Sequence, residues 1–96
     1  MKMLIVIGPH SREREIREAL GRHGARAFTE VPDVLGSGAT GAHLDTQAFP
    51  GRQTLVFSVL TDEQLASALE SLRAVKASLY PEERLHAFSV PAESLL

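Results

Sequence analysis

The sequence predicts an α+β fold in which four antiparallel strands form one sheet and two helices cover one of its faces. Four short apolar segments have the composition of strands, and two longer segments have the apolar period of helices. Their order along the chain is β-α-β-β-α-β. With 96 residues, the chain has the size of a single domain. We therefore expect residues 1–96 to form one domain.

The first strand and the first helix are predicted near the start of the chain. Residues 3–7 are continuously apolar, which is typical of a strand covered on both faces, so this strand should be central. Ser11 provides a hydroxyl N-cap for the helix that follows, and Gly24 ends this helix. Its inward side is formed by Ile16, Ala19, Leu20 and His23. Its outward side has the i,i+4 pairs Glu13–Arg17 and Arg14–Glu18.

The second and third strands are predicted over residues 25–35 and 53–60. Pro32 interrupts the earlier segment and cannot donate a backbone hydrogen bond, so this segment is an edge strand or contains a bulge. The later segment is apolar at most positions on both faces. It therefore indicates a second central strand.

The second helix begins after Thr61, because Thr61 and Gln64 have the spacing of a capping box. Pro81 lies beyond the end of this helix, and residues 85–91 supply a short final strand. The apolar stripe of the helix consists of Leu65, Ala68, Leu69, Leu72, Val75 and Leu79.

With right-handed crossovers, this order of elements gives the ferredoxin-like fold, in which both helices lie on the same face of the sheet. Two helices cover only one face, yet the strands at residues 3–7 and 53–60 are apolar on both. The helices therefore leave uncovered either the face of the sheet that contains Val56 and Leu60 or the opposite face. We expect the uncovered face to be an interface between copies of the chain.

Composition excludes several classes of protein. The net charge of −2 does not provide the basic field that nucleic-acid binding needs. The absence of cysteine excludes disulfides and thiolate metal sites. The longest apolar run is too short to insert into a membrane or to act as a signal peptide. We expect a cytoplasmic protein.

The connection at residues 36–52 shows no helical or strand period, and loops of this length are often functional. It begins with Gly-Ser-Gly-Ala-Thr-Gly, which matches G-x-G-x-x-G, but no helix follows as the dinucleotide fingerprint requires. Gly36 and Gly38 could instead form an anion-binding nest, and the alternative is that the glycines only make the loop flexible. The candidate ligand-binding residues are Gly36, Ser37, Gly38, Thr40 and His43.

Metal binding and catalysis have weaker support. His43 and Asp45 could share one metal ion, although no paired-histidine motif accompanies them. The serines have no nucleophile-elbow context, and most carboxylates lie on predicted helix surfaces. Glu82, Glu83 and Arg84 form a charged turn that is typical of a solvated corner. We expect no catalytic residues and no enzymatic activity.

Three segments resemble the PII-like signalling superfamily, typified by nitrogen regulatory protein P-II, and the resemblance covers nearly the whole chain. The first is the opening strand with the helix Arg14-Glu15-Ile16-Arg17-Glu18-Ala19-Leu20, which is similar to the family's V-x-E-A-L pattern. The second is Val34-Leu35-Gly36-Ser37-Gly38, which resembles the entry to the family's long T-loop. The third is Ala87-Phe88-Ser89-Val90-Pro91-Ala92-Glu93, which resembles the ending I-F-V-x-P-V-E.

This resemblance implies a homotrimer that packs its sheet faces together. It also implies that ATP or ADP, often with 2-oxoglutarate, binds in clefts where the T-loop of one subunit meets the B-loop of its neighbour. Here the T-loop corresponds to residues 36–52 and lacks tyrosine, and residues 77–84 lack the B-loop pattern T-G-x-x-G-D-G-K. No cofactor can therefore be named.

We expect a non-enzymatic trimer that senses a small ligand, a nucleotide or another small anion, at its subunit clefts. The 36–52 loop would then signal to a regulated protein partner. The alternative is a trimer of the CutA type that binds divalent metal ions, although the tryptophan-rich second strand of those proteins is missing here.

Overall fold

The computed structural model describes residues 1–21, 28–38, 41–43 and 52–96. Within these residues, one antiparallel sheet has the strand order β3-β2-β4-β1-β5. The strands are β1 (Lys2–Pro9), β2 (Thr29–Gly38), β3 (Gly41–His43), β4 (Arg52–Leu60) and β5 (His86–Pro91). The helices are α1 (Glu13–Gly21) and α2 (Asp62–Ala77). The ferredoxin-like prediction is confirmed, with β1 and β4 central in the sheet and the short β3 added at its edge.

The start of α1 differs from the prediction. A 3₁₀ turn over His10–Arg12 precedes the helix, and Pro9 begins this turn without a side-chain cap. Ser11 is therefore not an N-cap, because its hydroxyl donates to Glu83 instead, 2.9 Å away. The two predicted i,i+4 ion pairs on this helix are confirmed. His23 and Gly24 lie outside the described residues.

The sequence predicts that the second strand is an edge strand or contains a bulge, and the structure has a bulge between Val31 and Val34. Asp33 within it has a φ of 63°, a conformation that aspartate tolerates better than most side chains. The strand then continues to Gly38 and pairs with β3. The absence of a strand period in residues 36–52 was thus misleading, because backbone pairing between glycine-rich segments leaves no apolar pattern in the sequence.

The second helix follows its prediction closely. The Thr61 hydroxyl accepts from the Gln64 amide, and the Gln64 side chain accepts from the Thr61 amide, which completes the capping box. The helix ends at Ala77, four residues before Pro81. Neither described helix is long and apolar enough to cross a membrane.

The core lies between the helices and one face of the sheet. Gly8 permits close packing here, because a Cβ atom would lie 2.7 Å from Ile16 Cδ1 and 2.8 Å from Leu85 Cδ1. The buried apolar residues are Leu4, Val6, Ile16, Ala19, Leu20, Val56, Leu60, Ala68, Leu72 and Leu85. Val56 and Leu60 thus belong to the face that the helices cover, and the described helices leave the opposite set of strand residues uncovered.

Candidate functional site

The face of the sheet opposite the helices is apolar, and we call it the open face. Three rows of directly paired residues cross it: Val59–Met3–Val90, Phe57–Ile5–Phe88 and Leu55–Ile7–His86. Phe88 is 55% exposed, Val59 48% and Val90 42%. A contiguous apolar surface of this kind is typical of an interaction site rather than of a monomer surface.

A groove of about 430 Å³ lies on the open face near the start of β2. Its lining residues are Met3, Phe28, Thr29, Phe57, Ser58 and Val59. None of these described residues is charged, so contact with the groove would be mainly apolar.

Charged side chains gather at one end of the sheet, which we call the polar end. Pro9 at the end of β1 pairs with Gln53 near the start of β4, and Ile7 pairs with His86 at the start of β5. The 3₁₀ turn, residues 78–85 and the entry to β4 from the 36–52 connection therefore meet here. The topology thus brings the start of β4, where the connection ends, and the turn before β5 to the same end of the sheet.

Glu13 is the centre of the first charged network at the polar end. Its carboxylate accepts from Arg17 at 2.6 Å and from the buried Thr54 hydroxyl at 3.0 Å, and His10 Nδ1 lies 3.1 Å away. These hydrogen bonds, that from Arg17 above all, lower the pKa of Glu13. Arg17 also contacts Glu30 of β2 at 3.2 Å. The network therefore connects the start of α1 to both β2 and β4.

Glu83 is the centre of the second network. Its carboxylate accepts from Arg12, from the Ser11 hydroxyl and from the Tyr80 amide. Burial raises the pKa of Glu83, but these hydrogen bonds together outweigh burial and hold the pKa below its ordinary value. The pKa of Arg12 is raised, chiefly by its hydrogen bonds to Glu83 and then by those to Glu15. The network holds residues 78–85 against the 3₁₀ turn.

A third contact supports the bulge in β2. Arg52 Nε lies 3.2 Å from the Asp33 carboxylate, and Arg52 Nη1 donates to the Asp33 carbonyl at 3.4 Å. The pair between Arg17 and Glu30 holds the same strand just before the bulge. Ion pairs thus contact β2 just before its bulge, at Glu30, and within the bulge, at Asp33, and both contacts precede the 36–52 connection.

The structure places only some of the predicted site residues. Gly36, Ser37 and Gly38 are strand residues of β2, and Gly36 pairs with His43 of β3. The backbones of residues 36–38 and of residues 41–43 are thus neighbours in a hairpin at the edge of the sheet. The other predicted residues, Thr40 and Asp45, lie outside the described residues. Ligand binding by this set remains a prediction.

No group of three or more histidine and acidic side chains in the described part of the chain could hold a metal ion. The pair His43 and Asp45 cannot be tested by this finding, because Asp45 lies outside that part.

The sequence reasoning missed two functional candidates. Its interpretation of Glu83 as part of a solvated corner is wrong, because this side chain is 11% exposed and has three partners. Thr54 attracts no attention in the sequence, although it is fully buried and donates to Glu13. The available signal for Thr54 was a polar residue at an inward position of a strand that is otherwise mostly apolar.

These features define the chain as a ferredoxin-like domain with one apolar sheet face that its described helices leave uncovered. The family model described as "Nitrogen regulatory protein P-II" matches residues 1–91, and the chain belongs to this family. A search of curated protein sequences finds no match.

Solved structures with the same fold include PII-like proteins from two organisms. CPII from Thiomonas intermedia K12, bound to ADP, AMP and bicarbonate, has a TM-score of 0.67 and 18% identity over 93% of this chain and 86% of its own. The apo form of CPII has a TM-score of 0.65 and 15% identity over 93% and 89%. A PII-like signaling protein from Thermus thermophilus has a TM-score of 0.60 and 17% identity over 93% and 83%. At these identities the likeness concerns the fold.

Proposed function

We propose that the chain is a homotrimeric regulatory protein that binds a small ligand at its subunit clefts and signals through the 36–52 loop. The observation that carries this proposal is the open face, which is apolar across β4, β1 and β5 and has no cover from the described part of the chain. Membership of the P-II family supports a regulatory role rather than an enzymatic one.

The energetics of the open face favour assembly. Burial of a large apolar side chain contributes roughly 1.5–3 kcal/mol. Several such residues per subunit, including Phe57, Val59, Phe88 and Val90, would offset much of the cost of association. Three subunits that meet through these faces would bring the polar end of one subunit close to a neighbour.

The ligand of this protein is proposed to be a nucleotide or another small anion. CPII, which shares the fold, has been solved with ADP, AMP and bicarbonate. In this chain the start of β4, where the 36–52 connection ends, and residues 78–85 both lie at the polar end, where a ligand between subunits could contact both. The ion pairs at Glu30, just before the β2 bulge, and at Asp33, within the bulge, would transmit a change at this end to the loop.

Two measurements test this proposal. Sedimentation equilibrium at micromolar concentration should give a mass three times that of the 10.4 kDa chain. A thermal-shift screen with adenine nucleotides, bicarbonate, 2-oxoglutarate and divalent metal ions should show stabilisation by at least one of the anions. A monomer at all concentrations would disprove the trimer, and stabilisation by metal ions alone would favour a CutA-type function.

A further inference from the structure

In the three rows that cross the open face, His86 is the residue that can gain or lose a proton. It is the first residue of β5 and pairs with Ile7 of β1, which in turn pairs with Leu55 of β4. Its ring stacks on that of Phe88, with 6.3 Å between the ring centroids and 21° between the ring planes. An exposed imidazole thus lies among apolar and aromatic side chains of the same face.

The charged groups near His86 give a proton on its ring no partner. Among the described residues, no hydrogen bond or ion pair involves His86. In the turn before β5, Arg84 donates to the Pro81 and Glu83 carbonyls, the Glu83 carboxylate belongs to the second network, and Glu82 is exposed. The positions of β1 and β4 at this end of the open face are uncharged: Ile7, Pro9, Leu55 and Gln53. A protonated His86 would therefore have the like charge of Arg84 two positions away in sequence and no carboxylate bonded to it.

Assembly through the open face would take this imidazole out of water. A neutral ring tolerates an apolar contact, whereas a charged group without a partner is far more costly to remove from water. Histidine side chains in water ordinarily gain a proton at about pH 6.5. Below this pH, a chain that enters the assembly must therefore release the proton of His86.

We propose that His86 makes assembly through the open face sensitive to pH, so that the trimer forms at neutral pH and dissociates in mild acid. This inference rests on the proposed trimer and adds its regulation. The sign follows from the proton count, because the separate chain binds a proton that the assembled chain does not. Association is therefore complete at higher pH and is lost as the pH falls through about 6.5.

Sedimentation equilibrium of the full chain over a dilution series measures this effect. The two conditions are about pH 7.5 and about pH 5.5, one unit above and one unit below the ordinary value for histidine. Release of one proton per chain should weaken association about tenfold per chain between them. His86→Gln does not titrate and should associate equally under both conditions. His86→Lys has a permanent charge and should stay dissociated at concentrations at which the parent is a trimer at the higher pH.

Ala87→Lys is the matched control for the permanent charge. Ala87 is the next residue of β5 and is also exposed, but its side chain lies on the opposite side of the strand. This variant should associate like the parent and keep the pH dependence of the parent. Far-UV circular dichroism of each variant under both conditions shows whether the chain stays folded, so that a lower mass reports dissociation.

The possible failures are distinguishable. A parent trimer that associates equally under both conditions, or more tightly in acid, would overturn this inference and leave the proposed trimer intact. The same conclusion would follow if His86→Lys associated as tightly as Ala87→Lys. A parent that is a monomer under both conditions would overturn this inference together with the proposed trimer.

Discussion

The two faces of the sheet have similar apolar chemistry and very different surroundings. On the helix side, Leu4, Val6 and Val56 are at most 1% exposed, whereas Val59, Phe88 and Val90 on the open face are 42–55% exposed. The helix side also contains the buried polar residues Thr54 and Ser58. The difference teaches that apolar composition alone does not decide which face becomes the core, because the described helices bury one mostly apolar face and leave the other for another molecule.

The largest expected effect comes from the helix side. Leu20→Ala should lower the free energy of unfolding by about 2–5 kcal/mol, because a fully buried leucine leaves a cavity. Urea denaturation measures the change at a fixed protein concentration. Leu95→Ala is the matched control, since Leu95 is 83% exposed and its loss should cost under about 0.5 kcal/mol. Equal losses in the two variants would mean that the core is not where the structure places it.

The next effect tests the open face. Phe88→Asp should weaken subunit association by a factor of about a hundred, because a carboxylate in an apolar interface loses its hydration. Ser89→Asp is the matched control, since the next residue of β5 is also exposed but lies on the opposite side of the strand. Sedimentation equilibrium of both variants measures association. If both dissociate alike, the interface is not confined to the open face.

A smaller effect is expected from acid, and it acts on the networks at the polar end. The pKa values of Glu13 and Glu83 are below the ordinary 4.5 in the folded chain. Their contribution to stability is therefore complete above about pH 4.5 and is lost as the pH falls through their folded values. The melting temperature is measured from pH 7 to pH 3, and we expect it to decrease once the pH is below about 4.5.

The control for the acid effect removes the two carboxylates together. Glu13→Gln combined with Glu83→Gln should start from a lower melting temperature and show a shallower fall in acid than the parent. Glu70→Gln, at an exposed position on α2, should retain the slope of the parent. A double variant that keeps the full slope would place the acid sensitivity in other groups.

The smallest effect concerns the polar group on the covered face. Thr54→Val keeps the shape of the side chain but removes the hydroxyl that donates to Glu13. We expect a loss of about 1 kcal/mol in the free energy of unfolding, the usual net value of such a hydrogen bond. Urea denaturation of the parent and of the variant measures this difference in the free energy of unfolding. A stabilised variant would mean that the network gains nothing from the buried hydroxyl.

Most of the fold was predictable because its signals are local. The capping box of Thr61 and Gln64 spans four residues, and the stripe of α2 repeats within each turn. Pro32 also marked the bulge correctly. Each of these patterns depends on neighbours in sequence, so the sequence alone contains enough information to find it.

The polar end was not predictable, because its contacts join distant parts of the chain. Ser11 and Glu83 are 72 positions apart, so the same serine that looked like a helix cap is bonded across the fold. The strand β3 left no trace either, since its pairing uses the backbone of Gly41 and its neighbours. The family resemblance, by contrast, was available from short motifs, and the match to residues 1–91 confirms it.

The bulge in β2 shifts the register in which the next residues of this strand pair with β4. Val31 pairs with Leu55 and Val34 pairs with Gln53, so β2 uses three steps where β4 uses two. Before the bulge, odd-numbered positions of β2 pair with odd-numbered positions of β4. After the bulge, even-numbered positions of β2 pair with odd-numbered positions of β4. A deletion of one residue at Asp33 would therefore remove the extra step and leave Val34 opposite Gln53, so the bulge would disappear while the entry to the loop kept its two faces.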